Sequence, residues 1–175
     1  MSQKPLKYNR ITKIIHWLSA LTIFSLFALG YWMVDLTYYS EWYKIAPHWH
    51  KSIGLTLFAL TLFRLIWKLI NKAPEIEGLA WEKMGAKIAH NLLYVLLFGT
   101  FISGYLISTA DGRGIDLFNL FTLPGLGSLI ENQEDIAGEM HFYLTYSLIG
   151  LALLHAMAAL KHHFINKDNT FKKMI

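Results

Sequence analysis

HFYLTYSLIGLALLHAMAAL, residues 141–160, carries two histidines fourteen residues apart and no formal charge. Over fourteen residues an α-helix rises about 21 Å and completes almost four turns. His141 and His155 therefore project from one face, near opposite sides of a hydrocarbon layer about 30 Å thick. His155 lies between AlaLeuLeu and AlaMetAla. A polar group at that depth is costly, and such groups are as a rule paired or functional.

Working outward, three further apolar blocks reach spanning length, at 14–34, 50–70 and 88–107. The first is uninterrupted by charge, the second carries Arg64 and Lys68 toward its end, and the third has His90 near its start. Helices satisfy their own backbone groups in lipid, so the blocks predict four transmembrane helices. Composition agrees: 54% of the 175 residues are hydrophobic and 16% charged, with a mean hydropathy of +0.35, whereas soluble domains carry about 25% charged residues. The expectation is an all-α, integral membrane, four-helix up-and-down bundle formed as one domain over 1–175, with a long connection at 108–140. No small-residue cleavage site follows the first apolar run, which reads as a retained span. The chain contains no cysteine, which excludes disulfides, thiolate-held iron–sulfur clusters and covalent c-type haem.

Charge sets the expected topology. With the N-terminus, the 71–87 connection and the C-terminus on one side, thirteen Lys or Arg and four acids gather there, counting Arg64 and Lys68. Three bases and eight acids fall on the other side, giving +9 against −5 within a net charge of +4. The positive-inside rule then puts both termini in the cytoplasm of a bacterial inner (plasma) membrane protein. A basic face on a soluble body, as nucleic-acid binding needs, is not present. Tyr31, Trp32, Trp42 and Tyr43 read as an aromatic belt on the outer side, and Trp17 and Trp67 as its inner counterpart.

Matching depth along alternating helices pairs His16 with His155 on the inner side and His50 with His141 on the outer side. Pro47 stands just before His50, where it can help to start the second helix. Each pair can clamp a flat macrocycle, one imidazole on either face of an iron. Two haem b groups, non-covalent and bis-histidine ligated, are the expected load, because such ligation suits electron transfer and leaves no open iron position. Zinc would want three or four ligands at one depth. A metal-ion transporter using His48, His50 and His141 outside and His162 and His163 inside is the alternative. It lacks a buried acid to compensate a travelling cation. A haem-containing anchor subunit of a larger oxidoreductase is a second alternative, and a scaffold with incidental histidines a third.

Several other residues are candidates for cofactor binding. Arg64 projects from the face of His50 at inner depth, suited to haem propionates or to snorkelling. His90 faces a choice among propionate, quinone and interface, outside the depth-matched pairs. Lys51 is the cation nearest an outer haem. Gly54, one turn from His50, leaves room for a broad ring, and Gly99, Gly104 and Gly150 allow close approach. His162, seven residues beyond His155 on nearly the same face, is the rival ligand for the inner site; beside Lys161 at headgroup level, it reads rather as a contact to lipid phosphate or a propionate. The apolar part of the outer connection is expected to lie on the membrane surface as a short amphipathic element, over the outer haem or as an anchor.

IleIleHisTrp at 14–17, HisLysSerIleGly at 50–54, HisAsnLeuLeuTyr at 90–94, GluMetHis at 139–141 and LeuLeuHisAlaMetAlaAlaLeuLysHisHis at 153–163 together resemble the bacterial cytochrome b561 family. These are small four-helix di-haem proteins related in their membrane core to the cytochrome b subunit of nickel–iron hydrogenases. The resemblance covers nearly the whole chain. It implies that His16 and His155 bind one haem and that His50 and His141 bind the other. It also implies an electron-transfer protein, or quinone-linked oxidoreductase, of the inner membrane, exchanging electrons with ubiquinone or ubiquinol. The expected partners are membrane lipid, quinone and a second redox partner, with a small species such as superoxide ahead of a docked protein. A homo-oligomer is compatible with this.

Overall fold

The computed structural model describes residues 7–175; the start of the basic N-terminal arm, including Lys4, lies outside the described residues. Four long helices follow in order: α1 (Arg10–Met33), α2 (Trp42–Ile70), α3 (Ala80–Thr109) and α4 (Gln133–Phe164). Each is long and apolar enough to cross a membrane. Between α3 and α4 stands a small hairpin of β1 (Ile115–Leu117) and β2 (Phe121–Leu123), and a 3₁₀ turn, Phe171–Lys173, ends the chain. The helices alternate in direction, so the first and last described residues meet at one end of the bundle, where the Tyr8 N–H donates to the Lys173 carbonyl.

All four helices extend beyond the apolar blocks, for local reasons. Asn9 caps α1, its side chain accepting from the Thr12 N–H at 2.9 Å, and its amide donates to Asn71 just past α2. Ser40 accepts from the Trp42 N–H, while Trp32 packs on Trp42 and Tyr38 on Tyr43. These contacts start α2 well before His50, so Pro47 lies inside the helix instead of opening it. Its missing N–H removes only the bond to the Tyr43 carbonyl. At α3, the Glu82 carboxylate accepts from the Leu79 N–H at 2.8 Å. Helix α4 begins with Glu134 and Asp135 and ends with Lys161, His162 and His163, an order that suits the helix dipole.

One leucine from each helix, Leu26, Leu57, Leu97 and Leu148, forms the buried core. Leu148 is seven residues from His141 and seven from His155, so this layer crosses the bundle midway between them. Around it α3 runs closest to α4, and α1 to α2. Outward-facing apolar side chains such as Leu21, Val95 and Leu154 are more than half exposed. That is the reverse of a soluble bundle and fits a surface solvated by lipid.

The 108–140 connection is shorter than its sequence implied, because α3 takes its first residues and α4 its last. Its apolar part is the hairpin, in the register Ile115↔Leu123, Asp116↔Thr122 and Leu117↔Phe121. Phe118 and Asn119 take positive φ values of 50° and 58° at the turn, and Gly114 faces the Leu123 carbonyl so closely that no side chain fits. Polar groups fasten this connection to the bundle. The fully buried Ser52 hydroxyl donates to the Asp116 carbonyl and accepts from the Phe118 N–H, both at 3.1 Å. Tyr105 donates to the Pro124 carbonyl at 2.7 Å. Gln133 donates to the Leu106 carbonyl and accepts from the Leu129 N–H.

Candidate functional site: two histidine pairs

The helices bring the four depth-matched histidines together as two pairs. His16 and His155 have ring centroids 6.4 Å apart, inclined at 77°. His50 and His141 are also 6.4 Å apart, inclined at 70°. Two imidazoles bound to one metal through bonds of about 2.0 Å would have centroids about 6 Å apart, so either pair has room for one metal between its rings. Among the described residues no three His, Cys, Asp or Glu side chains form a metal-ion cluster. The donor sets are pairs of neutral nitrogen ligands, and they fit a bis-histidine haem iron.

At the end holding His50 and His141, each ring rests against a glycine. A β-carbon on Gly30 would stand 3.1 Å from His50 Cε1, and one on Gly104 the same distance from His141 Cε1. Gly54 differs: a β-carbon there would meet no atom within 4 Å, so it leaves open the face one turn from His50. His141 Nδ1 lies 3.1 Å from both Ser103 Oγ and the Thr100 carbonyl. His50 Nδ1 is buried without a hydrogen-bond partner. Trp49 packs on Phe118 at 5.6 Å, so the hairpin lies beside this pair. Lys51 is half-buried next to His50. Beyond the helices, Arg113 holds the Asp111 carboxyl below the usual carboxylate range, through its side chain first and then its backbone N–H.

The end holding His16 and His155 is cationic. Arg64 Nη2 donates to His16 Nδ1 at 3.1 Å, and Arg64 and Lys68 lie over the Tyr94 ring at 5.7 and 5.4 Å. His90 belongs to this cluster, with its ring centroid 5.1 Å from that of His155. That separation is direct edge contact, too short for a metal between the rings. Its place follows from the true helix ends: His90 is ten residues into α3 and His155 nine before the end of α4.

Some expected contacts at this end are replaced by protein ones. His162 does not face lipid: it lies between Asp168, 2.5 Å from its Nδ1, and Glu82, 4.0 Å from its Nε2. Trp17 and Trp67 do more than line an interface. Trp17 donates to the Met174 carbonyl at 2.9 Å and Trp67 to Thr12 at 3.2 Å. Lys173 binds Glu77 at 2.6 Å and the Glu75 carbonyl at 2.7 Å, fastening the last residues across this end. Ser103, Thr100 and Gly30 were missed as site residues in the sequence. The available signal was the run Gly99, Thr100, Ser103, Gly104 on α3, small and polar residues that in lipid need a partner.

Comparison with known proteins decides the family. Residues 7–175 match the family model described as prokaryotic cytochrome b561. This chain belongs to the prokaryotic cytochrome b561 family. It is 44% identical to cytochrome b561 homolog 2 of Escherichia coli (strain K12) over 173 residues, 98% of this chain and 92% of the relative. Cytochrome b561 homolog 1 of the same organism is 28% identical, over 95% of this chain and 97% of its own. A Yersinia pestis protein named "Probable superoxide oxidase CybB" is also 28% identical, over 97% of this chain and 96% of its own. At the level of the family, the chain is a cytochrome b561-type electron-transfer membrane protein, and membership of the family implies the use of haem b.

Proposed function

We propose that this chain is a di-haem b-type cytochrome that moves single electrons between ubiquinone in the bacterial inner membrane and a partner on the periplasmic side, with both termini cytoplasmic. The observation that carries the proposal is the repetition of one geometry: two histidine pairs with the same 6.4 Å ring separation, sharing one helix across fourteen residues. His16 and His155 would hold one haem and His50 and His141 the other. Haems held by these residues would supply one-electron transfer.

The surrounding residues have separable roles in this reading. Gly30 and Gly104 set how far the His50 and His141 rings lean, and Gly54 keeps the adjacent face clear. Arg64 and Lys68 provide positive charge for carboxylate groups at the His155 end. His90 buttresses His155 and is not a ligand. Lys51 gives the His50 end a local positive feature, but a net charge of −5 over the expected outer segments opposes long-range attraction of an anion. A lipid-borne quinol needs no such steering, which favours quinone as one partner. The name of the Yersinia relative makes superoxide the first small species to try as the other.

Purified protein should show a low-spin b-type spectrum and about two extractable haems per chain; one haem or none sinks the proposal. Stopped-flow mixing of the reduced form with ubiquinone, and of the oxidised form with ubiquinol and separately with superoxide, tests the partners. If quinone neither oxidises nor reduces the protein on the timescale of turnover, the quinone link is wrong even with both haems bound.

A further inference from the structure

Ser103 stands on α3 where α4 packs closest, with Gly99 directly against Leu144. Its side chain is 1% exposed, and a buried hydroxyl must find hydrogen-bond partners. Ser103 Oγ lies 2.8 Å from the Gly99 carbonyl, 3.0 Å from the Thr100 carbonyl and 3.1 Å from His141 Nδ1. A hydroxyl has one proton to donate and two lone pairs. With that proton given back to a carbonyl of its own helix, the oxygen accepts from an N–H at His141 Nδ1. The Thr100 carbonyl, 3.1 Å from the same nitrogen, can only accept. Both neighbours therefore place the proton of neutral His141 on Nδ1 and leave the lone pair on Nε2.

Gly104 completes the seat, since a β-carbon there would press on His141 Cε1 at 3.1 Å and Nδ1 at 3.3 Å. The facing His50 has no such support, its Nδ1 being buried and unpartnered. His16 has no acceptor either: the group at its Nδ1 is the Arg64 guanidinium, a donor, and that contact has to open before His16 can carry its proton on Nδ1 and offer Nε2 to iron. The hydroxyl on α3 thus distinguishes His141 from two of the other three histidines.

We propose that Ser103 is a positioning residue for His141: it fixes the Nδ1–H tautomer, orients the ring toward His50, and strengthens Nε2 as a donor to iron. The inference rests on the di-haem reading above. An imidazole whose Nδ1–H is held by an acceptor is a more basic ligand. It favours ferric over ferrous iron and lowers the midpoint potential of its own haem, leaving the haem at the other end unaffected.

The test is a potentiometric titration of the purified, haem-loaded protein, comparing the parent with Ser103→Ala, Ser103→Thr and Ser103→Val. The Thr and Val side chains have nearly the same shape and differ in the hydroxyl. In Ser103→Ala one of the two midpoints should move positive by about threefold to tenfold in the ferric-to-ferrous ratio, tenfold being about 59 mV for one electron. The retained Thr100 carbonyl limits the shift. Ser103→Val should follow Ala, and Ser103→Thr should stay near the parent. If the Ala and Val variants instead lose one haem that Thr retains, the positioning role stands. Equal behaviour of Thr and Val, whether as shift or as loss, makes Ser103 a packing residue and overturns the inference. So does an unshifted Ser103→Ala in a preparation whose parent holds two haems. A parent without two haems refutes the di-haem reading itself.

Discussion

The two ends of the bundle carry the same histidine geometry in opposite surroundings. At one end His50 and His141 sit among glycines, a serine hydroxyl and a backbone carbonyl, beside a hairpin fastened through Ser52. At the other, His16 and His155 sit among Arg64, Lys68 and His90, under a C-terminal segment held by ion pairs and indole hydrogen bonds. Identical ligand spacing with unlike fields is a way to build two haem sites of different potential from one helix. With haem bound as proposed, the acceptors at His141 would favour the oxidised form and the cations near His16 the reduced form. By this argument electrons rest more readily at the His155 end.

The largest expected effect breaks the comparison outright. His155→Leu should lose the haem of its own end and keep much of the other, and His50→Leu should do the reverse, leaving about one extractable haem per chain in each case. Loss of both haems from either variant would mean that the ends do not load independently, because bound haem also stabilises the bundle.

Next in size are the glycines. Gly104→Val adds bulk where even a β-carbon would stand 3.1 Å from the His141 ring. Overpacking of this kind costs about 1–3 kcal/mol. The haem of the His141 end should be weakened or lost, with the His155 end spared, as haem content and thermal melting will report. Gly54→Leu probes the same end differently. A β-carbon at Gly54 meets no protein atom within 4 Å, and Leu is the better helix former, so haem-free protein should melt no lower while haem content at that end falls. Unchanged haem content would remove Gly54 from the site.

How much of this was legible in the sequence depends on which force decided each feature. Hydropathy was enough for the four helices, and their alternation, which matches depths, was enough for the His16–His155 and His50–His141 proximities. Helix ends were not, since polar caps at Asn9, Ser40 and Glu82 lie outside the apolar blocks. That error had a cost: starting the third helix at 88 instead of Ala80 put His90 at the margin, when it packs against His155. The hairpin was hidden because three-residue strands leave almost no alternating pattern. Ser103 was hidden because a serine in a helix often only bonds back to its own turn. It does so here as well, and its contact to His141 depends on how α3 and α4 are rotated against each other.

A smaller effect sharpens the electrostatic half of the comparison. Arg64→Gln removes a buried-side cation at the His16 end, which should lower that midpoint by an amount of order 1 kcal/mol in free energy. The His141 end, across the leucine layer, should move much less. Equal shifts at both ends, read in the same titration, would show that Arg64 acts on the bundle as a whole.

The smallest effect concerns the segment across the His155 end. Glu77 has its carboxyl held below the usual carboxylate range by the Lys173 side chain first, and then by the Asn169 N–H. A carboxyl whose folded pKa is depressed stabilises the folded arrangement above its unfolded pKa, and that contribution fades as pH falls through the folded value. The Lys173–Glu77 tie should therefore hold at neutral pH and release only in acid, below the ordinary carboxylate range. Protection of residues 166–175, measured against the intrinsic exchange rate at each pH, should fall over that window, while protection in the hairpin, which is held to the bundle by the uncharged Ser52, should not respond. Glu77→Gln should reduce the pH dependence to what the Asp168–His162 contact in the same segment contributes. If protection of the parent segment is the same across the whole range, the ion pair contributes nothing to closing this end. The hydrogen bonds from Tyr8 and Trp17, the Lys173 contact to the Glu75 carbonyl and the Asp168–His162 contact then hold the segment without it.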